Sequence, residues 1–380
     1  RVHAIVGARI VAAPGQLIER GTIVMRDGVI IAVGAGVPVP ADARIWEGDS
    51  LTIYPGLIDA FVMPAEAPGA GGPQGPPFGR PRTPATPAPS RGAAHALSVV
   101  RAEMHVSETQ PLTKDQAEGL RAAGFAAAQV APRTGIVRGQ SAVVGLGEGD
   151  PNDVIVKADA AQVVALEASR EGYPGSLMGA IAVIRQAFVD AKWYRDALAT
   201  YRRAPQGTER PETNLAWEAL QTVIAGQQPA LFVADEMLEV LRAAAIAREA
   251  GVTAQVVGAG DEYKRVRDIA AAGVPLIVPV NFPAAPDLAD PDAAVDVSTE
   301  ELRHWNQAPE NPATLARNGV AFALTANGLK DVKSFRANVG KAIERGLKPE
   351  QALAAVTTTP ARLLGLSDRL GTLAAGKIAN

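Results

Sequence analysis

Beyond residue 93 the chain alternates short β-branched runs with longer segments of helical period, and this alternation constrains its fold more than any other feature. Apolar runs at 125–130, 142–146, 230–233, 253–257, 274–278 and 320–324 are each short enough for one strand buried on both faces. Among them, segments 114–123, 176–200, 212–226, 235–250, 262–272, 311–318 and 332–345 carry apolar residues at helical spacing. Such repetition implies parallel strands, because parallel neighbours need a crossover of a dozen or more residues. With 53–58 as the first there are seven strand candidates, and 154–157 supplies an eighth. Eight parallel strands covered by helices point to an α/β fold, a (β/α)8 TIM-like barrel. No glycine-rich phosphate fingerprint follows an early strand, which argues against an open nucleotide-binding sheet. Gly124, Gly251, Gly273, Gly319 and Gly346 each follow a helix-period segment, where a left-handed residue ends a helix.

The first residues differ. Segments 4–11, 21–26 and 29–33 are β-rich, with Arg26-Asp27-Gly28 as a turn, so a small β unit precedes the repeats. From 64 to 92, nine prolines and six glycines make up 15 of 29 residues, too few apolar side chains for a core, and a loop insertion is expected. Its charges are Arg80, Arg82 and Arg91 against a single Glu66, so it is expected to lie across a face or a partner.

Composition removes several functions. A net charge of −3 and the lack of any Lys/Arg run argue against nucleic acid. The longest apolar runs fall far short of the ~20 residues that cross a bilayer, so no membrane partner is expected. Cysteine is absent, which excludes disulfides, thiolate metal sites and a cysteine nucleophile, and leaves the compartment open. Only His3, His95, His105 and His304 supply imidazole; the ten-residue step between His95 and His105 fits no usual ligand spacing, and all four read as surface or loop residues.

Gly7-Ala8-Arg9-Ile10-Val11, Gly21-Thr22-Ile23-Val24, Arg26-Asp27-Gly28 with Ile31-Ala32-Val33-Gly34, and Tyr54-Pro55-Gly56-Leu57-Ile58-Asp59 together resemble the amino terminus of the amidohydrolase superfamily, in particular its imidazolonepropionase-like branch. Leu347-Lys348-Pro349-Glu350-Gln351-Ala352-Leu353, Thr357-Thr358-Thr359-Pro360-Ala361 and Leu370-Gly371-Thr372-Leu373-Ala374-Ala375-Gly376-Lys377 resemble its carboxyl end. The resemblance implies a (β/α)8 barrel at 53–366 interrupted by the 64–92 insertion, and a small β-sandwich domain built from 1–52 with 367–380 as the start of the return. It also implies further strands beyond 380 in a longer parent or a partner.

Family members hold zinc or another divalent metal at the carboxyl ends of the strands and acidify a bound water. Their first strand ends Asp-x-His-x-His, since alternate residues share one face. Here that stretch is Asp59-Ala60-Phe61-Val62-Met63, so the two ligand positions hold Phe61 and Met63. The fifth-strand ligand position falls at Val233, the sixth near Val257-Gly258, and the eighth-strand aspartate position at Asn327. Neither Phe61 nor Met63 binds a hard or borderline cation well, no histidine stands at the fifth- or sixth-strand position, and an amide cannot serve as a base. The expectation is therefore no metal, no cofactor and no catalytic residue. The chain reads as an amidohydrolase-like module that has lost hydrolysis and serves as a structural or interaction half, oligomeric, and paired with a homologous amidohydrolase module in the same or another chain. The alternative is an active hydrolase of C–N bonds.

Several smaller features carry expectations. Arg133 and Arg138 form either a polar wall that binds an anionic group or a turn that caps a strand. Ser176 is the expected N-cap of the long helix, and Phe188, Trp193, Tyr194 and Tyr201 are expected to pack in the outer layer. Asp261, Glu262 and Lys264 read as a solvated first turn, while Trp305-Asn306 and Asn311-Pro312 read as helix starts.

Overall fold

The computed structural model describes residues 1–65, 92–108, 112–150, 153–169, 172–286 and 297–379; the expected insertion lies, from 66 to 91, outside them. Strands β1 (Val2–Ala13), β2 (Gln16–Arg26), β3 (Val29–Gly34), β4 (Arg44–Glu47) and β5 (Thr52–Ile53) form one mixed sheet in the order β3-β2-β1-β4, with β5 also on β1. The β2–β3 hairpin turns through Asp27 and Gly28 at φ 49° and 77°, the primed geometry whose twist matches its strands. Ala8, Ile10, Ile23 and Ile30 of this sheet pack with Leu373 and Ala379. Residues 373–379 return to it: Leu373 N donates to Ala12 O, Gly376 N to Ile30 O, and Ile378 bridges Val29. Among the described residues this is a single sheet with a returning segment against it, where a two-sheet sandwich was expected.

The rest of the chain supplies β6 (Leu57–Val62), β7 (Phe125–Val130), β8 (Val137–Gln140), β9 (Ala142–Gly145), β10 (Ile155–Lys157), β11 (Gln162–Ala165), β12 (Ala230–Val233), β13 (Ala254–Val257), β14 (Leu276–Pro279) and β15 (Phe322–Thr325). Strands β11 to β15 form a continuous parallel ladder, and β6 runs parallel to β7. The expectation of all-parallel strands fails at the third position. β9 is antiparallel to β7, β8 is antiparallel to β11, and β10, the proposed eighth strand, folds back antiparallel on β9. Only six residues separate β7 from β8, too few for a helical crossover, so the chain returns antiparallel. The parallel partner of β12 is β11, which was not among the expected strands because its short run of Gln-Val-Val-Ala shows no diagnostic period.

The helices are α1 (Lys114–Ala123), α2 (Leu177–Arg203), α3 (Leu215–Ala219), α4 (Gln221–Ile224), α5 (Met237–Ala250), α6 (Val266–Ala272), α7 (Thr299–Gln307), α8 (Asn311–Arg317), α9 (Phe335–Glu344), α10 (Pro349–Val356) and α11 (Thr358–Leu363). Local chemistry sets their ends. Gly124 closes α1 at φ 100°, Ser176 Oγ accepts from Gly179 N at the start of α2, and Thr113 with Gln116 forms a capping box. Helix α7 is a correction: Trp305 and Asn306 lie near its end, and a Ser298–Glu301 capping box starts it.

Alternate strand residues face opposite ways, and this divides the core. Val164, Phe232, Val256, Val278 and Leu324 point out to Ile184, Phe188, Val240, Ile246, Ile269 and Phe335 of the helices. Phe61, Val163, Leu231, Val257, Ile277 and Ala323 point inward and meet in one cluster. Residues of six strands thus share one apolar cluster.

Candidate functional site

The carboxyl end of β6 carries positions at which the resemblance implies metal ligands. Phe61 is fully buried in the inner cluster together with Leu231, Val257 and Ile277, and Met63 and Val233 pack against that cluster half-buried. Four of the positions singled out in the sequence, Phe61, Met63, Val233 and Val257, are therefore brought together in space. Asn327 stands apart from the cluster but joins Met63, Asp59 and Gln116 in lining a small cavity of about 150 Å³. Gln116 of α1 fixes the strand end, donating to Met63 O at 3.3 Å and accepting from Ala65 N at 3.0 Å.

Arg138 reaches this place from β8. Its side chain is 4% exposed; Nε donates to Gly135 O at 3.1 Å, one terminal nitrogen lies 3.0 Å from Glu167 Oε1, and the other lies 3.7 Å from Met63 Sδ. Burial holds its pKa below the usual guanidinium value, opposed by the charge of Glu167 and, more weakly, of Asp235; the neighbouring Arg133 lowers it further. Arg133 Nε donates to Pro64 O at 3.0 Å. Arg138 therefore both caps a turn and places a positive charge beside Met63.

Asp59, two residues before Phe61, was not singled out as a site residue. It is fully buried: Thr325 Oγ1 lies 2.5 Å from its Oδ1, Ala326 N donates to Oδ2 at 3.0 Å, and Phe61 N donates to Oδ1 at 3.1 Å. Burial pushes its carboxyl up to about 6 against the lowering pull of those donors. Thr325 Oγ1 also lies 2.8 Å from Phe61 O, so a protonated Asp59 can donate to the hydroxyl while the hydroxyl donates to that carbonyl. These contacts tie β15 to β6. No local signal reveals them, because 266 residues separate Asp59 from Thr325.

Glu262 corrects a second expectation. Rather than lying in a solvated turn, it is fully buried, accepting from Gly260 N at 3.1 Å and from Asn311 Nδ2 at 2.5 Å, and burial raises its pKa. A Cβ on Gly258 would run into the Glu262 carboxylate, so glycine at this sixth-strand position serves packing.

The histidines do not converge. His3 accepts from Trp46 Nε1, His95 accepts from Leu97 N, His105 pairs with Asp159 at 2.6 Å, and His304 meets Tyr263 Oη at 3.1 Å. Among the described residues no three His, Asp or Glu side chains are placed to hold an ion. An aromatic ring, a thioether, a valine and a carboxamide beside a guanidinium do not fit a hard divalent metal.

The family model for the amidohydrolase family matches residues 310–380. No curated protein matches the sequence. An amidohydrolase from Thermotoga maritima MSB8 is similar over 99% of this chain and 92% of its own, at 23% identity and a TM-score of 0.76. A molinate hydrolase is similar over 100% and 88% at 14% identity and a TM-score of 0.54. A prolidase complexed with N-methylphosphonate-L-proline is similar over 100% and 91% at 12% identity and a TM-score of 0.51. The chain accordingly has the fold of the amidohydrolase superfamily, a TIM-barrel type with an added β-rich part, and carries that family's sequence pattern in its last 71 residues.

Proposed function

We propose that the chain is an amidohydrolase-type module in which metal-dependent hydrolysis has been dismantled, serving as a structural or interaction half beside a homologous amidohydrolase module, with no cofactor of its own. In this reading β6, β7, the bent run of β8 and β9, β11 and β12 to β15 fill the eight positions of a barrel spanning 53–366, closed at β15 and β6, with 1–52 and 367–380 forming the small β domain. One observation carries the loss of chemistry: Phe61, Met63, Val233 and Val257 occupy the expected ligand positions as one apolar cluster, with the Arg138 guanidinium against Met63. A cation fixed there opposes a second cation electrostatically.

The second reading, an active hydrolase of C–N bonds, draws on the neighbours named for hydrolase activity. Elemental analysis of the purified chain, paired with an amide and lactam hydrolysis assay, separates the two. The degenerate reading expects no stoichiometric metal and no turnover. Zinc or iron at one equivalent, or turnover that survives a chelator, overturns it.

A further inference from the structure

The sequence contains two Asn-Gly steps, Asn318-Gly319 before β15 and Asn327-Gly328 after it. Such a step is chemically weak, because glycine has no Cβ to shield its amide nitrogen from the carboxamide that precedes it. The structure treats the two differently. Asn318 ends α8: its own N–H is shared among carbonyls of the last turn, its Nδ2 donates to Thr314 O at 2.8 Å, and Gly319 N donates to Ala316 O at 3.2 Å. Both the carboxamide and the nitrogen that would attack it are tied down there. Asn327 lies half-buried in the turn after β15, with Gly328 exposed beside it. Here the hydrogen bonds run around the reactive pair: Asn327 N donates to Thr325 Oγ1 at 3.0 Å and Leu329 N to Ala326 O at 3.1 Å. Among the described residues neither the Asn327 carboxamide nor Gly328 N has a hydrogen-bond partner. The peptide that joins them is the central one of the turn, and it can rotate while the Ala326–Leu329 bond holds. Glycine is also required at 328, since its φ is 80° and a Cβ would run into the Asn281 carboxamide.

We propose that Asn327 is a site of spontaneous deamidation, which turns its carboxamide into a carboxylate while Asn318 is spared. Gly328 N loses its proton and bonds to Asn327 Cγ, and the side-chain nitrogen takes up a proton and leaves as ammonia, closing a cyclic imide. Water then adds to one of the two ring carbonyls. Attack at Cγ restores the main chain with aspartate, whereas attack at the backbone carbonyl carbon leaves the chain running through the side chain as isoaspartate. One water enters, one ammonia leaves, and no other reactant is needed. The consequence falls on the cavity of about 150 Å³ that Asn327 lines with Asp59, Met63 and Gln116. Its wall gains a carboxylate at the eighth-strand position, where the resemblance expects one. The ageing chain thus acquires a charge that its sequence does not encode, whether or not the module hydrolyses a substrate.

The test is peptide mapping by mass spectrometry on the full chain, aged in its folded state in mildly alkaline water enriched in heavy oxygen, so that only conversion during ageing takes up the label. Trypsin leaves both asparagines on one peptide, between the cuts after Arg317 and Lys330, and fragmentation reads the two positions in the same molecule. The aspartate product is identified against the Asn327→Asp chain, and isoaspartate by its separate retention. In the folded chain residue 327 should convert about tenfold faster than residue 318 or more, the factor that the two hydrogen bonds at Asn318 and Gly319 hold back. In urea, where those bonds are gone, the two rates should draw level. Equal rates in the folded chain, conversion of Asn318 ahead of Asn327, a difference that persists unchanged in urea, or an Asn327 that stays intact in the folded chain overturns the proposal.

Discussion

Asp59 and Arg138 place opposite charges near one strand end, and they are held there by opposite means. Asp59 is surrounded by dipoles, two backbone amides and a hydroxyl, with no cation in contact. Arg138 keeps a counter-ion, Glu167, whose own side chain is 50% exposed. A charge held by dipoles keeps the option of giving up its charge, whereas a charge held by a counter-ion leaning into water depends on that partner staying. The first responds to pH and the second to mutation of its more exposed half.

The largest effect bears on the Arg138 side. Phe61→His, Met63→His, Val233→His and Asn327→Asp together put imidazoles into the apolar cluster and a carboxylate in the cavity beside it, and the metal-free protein should lose about 4 kcal/mol or more in chemical denaturation. Zinc should recover part of this by binding the folded state, but only when Arg138→Met is added. Calorimetric zinc titrations of the two variants decide it: tight zinc binding with Arg138 in place breaks the idea that the guanidinium excludes the ion.

The next effect bears on the dipole side. Asp59→Ala leaves Ala326 N, Phe61 N and the Thr325 hydroxyl without their acceptor and should cost about 3 kcal/mol. Because the folded-state value of about 6 lies above the ordinary 3.8, the unfolded chain sheds its proton first as pH rises. Asp59 therefore lowers stability between about pH 4 and pH 6, by up to about 3 kcal/mol, and contributes no slope outside that window. Asp59→Asn should remove the slope; an unchanged slope in urea melts across that range would break the comparison.

The smallest effect sharpens it. Glu167→Gln strands a buried guanidinium and should cost about 2 kcal/mol, whereas Arg138→Met releases Glu167 to water and should cost about 1 kcal/mol. Equal losses in paired denaturation curves would mean that Gly135 O and Met63 Sδ, not Glu167, hold the charge.

Several parts of this molecule were legible in the sequence because they depend on neighbours along the chain. Strands β7, β12, β13, β14 and β15 were visible as short β-branched runs between helices, and Gly124 and Ser176 as helix ends. Between 137 and 165 the strands at 142–145 and 155–157 were visible but their antiparallel direction was not, nor were β8 and β11: there the chain reverses without a helix, and a four-residue strand resembles any apolar run. Helix α7 was legible in principle through Ser298 and Glu301.

By itself the sequence determined which chemistry is available: no cysteine, four scattered histidines, and Phe61, Met63, Val233 and Asn327 at positions where the resemblance calls for metal ligands. Side-chain chemistry travels with the residue, so no coordinates were needed. Only the tertiary structure decided what fills the space, namely Arg138 against Met63, Glu262 folded over Gly258, and Asp59 tied to Thr325. Those contacts follow from the register and stagger of strands far apart in the chain, which the alternation of inward and outward residues along any one strand leaves open.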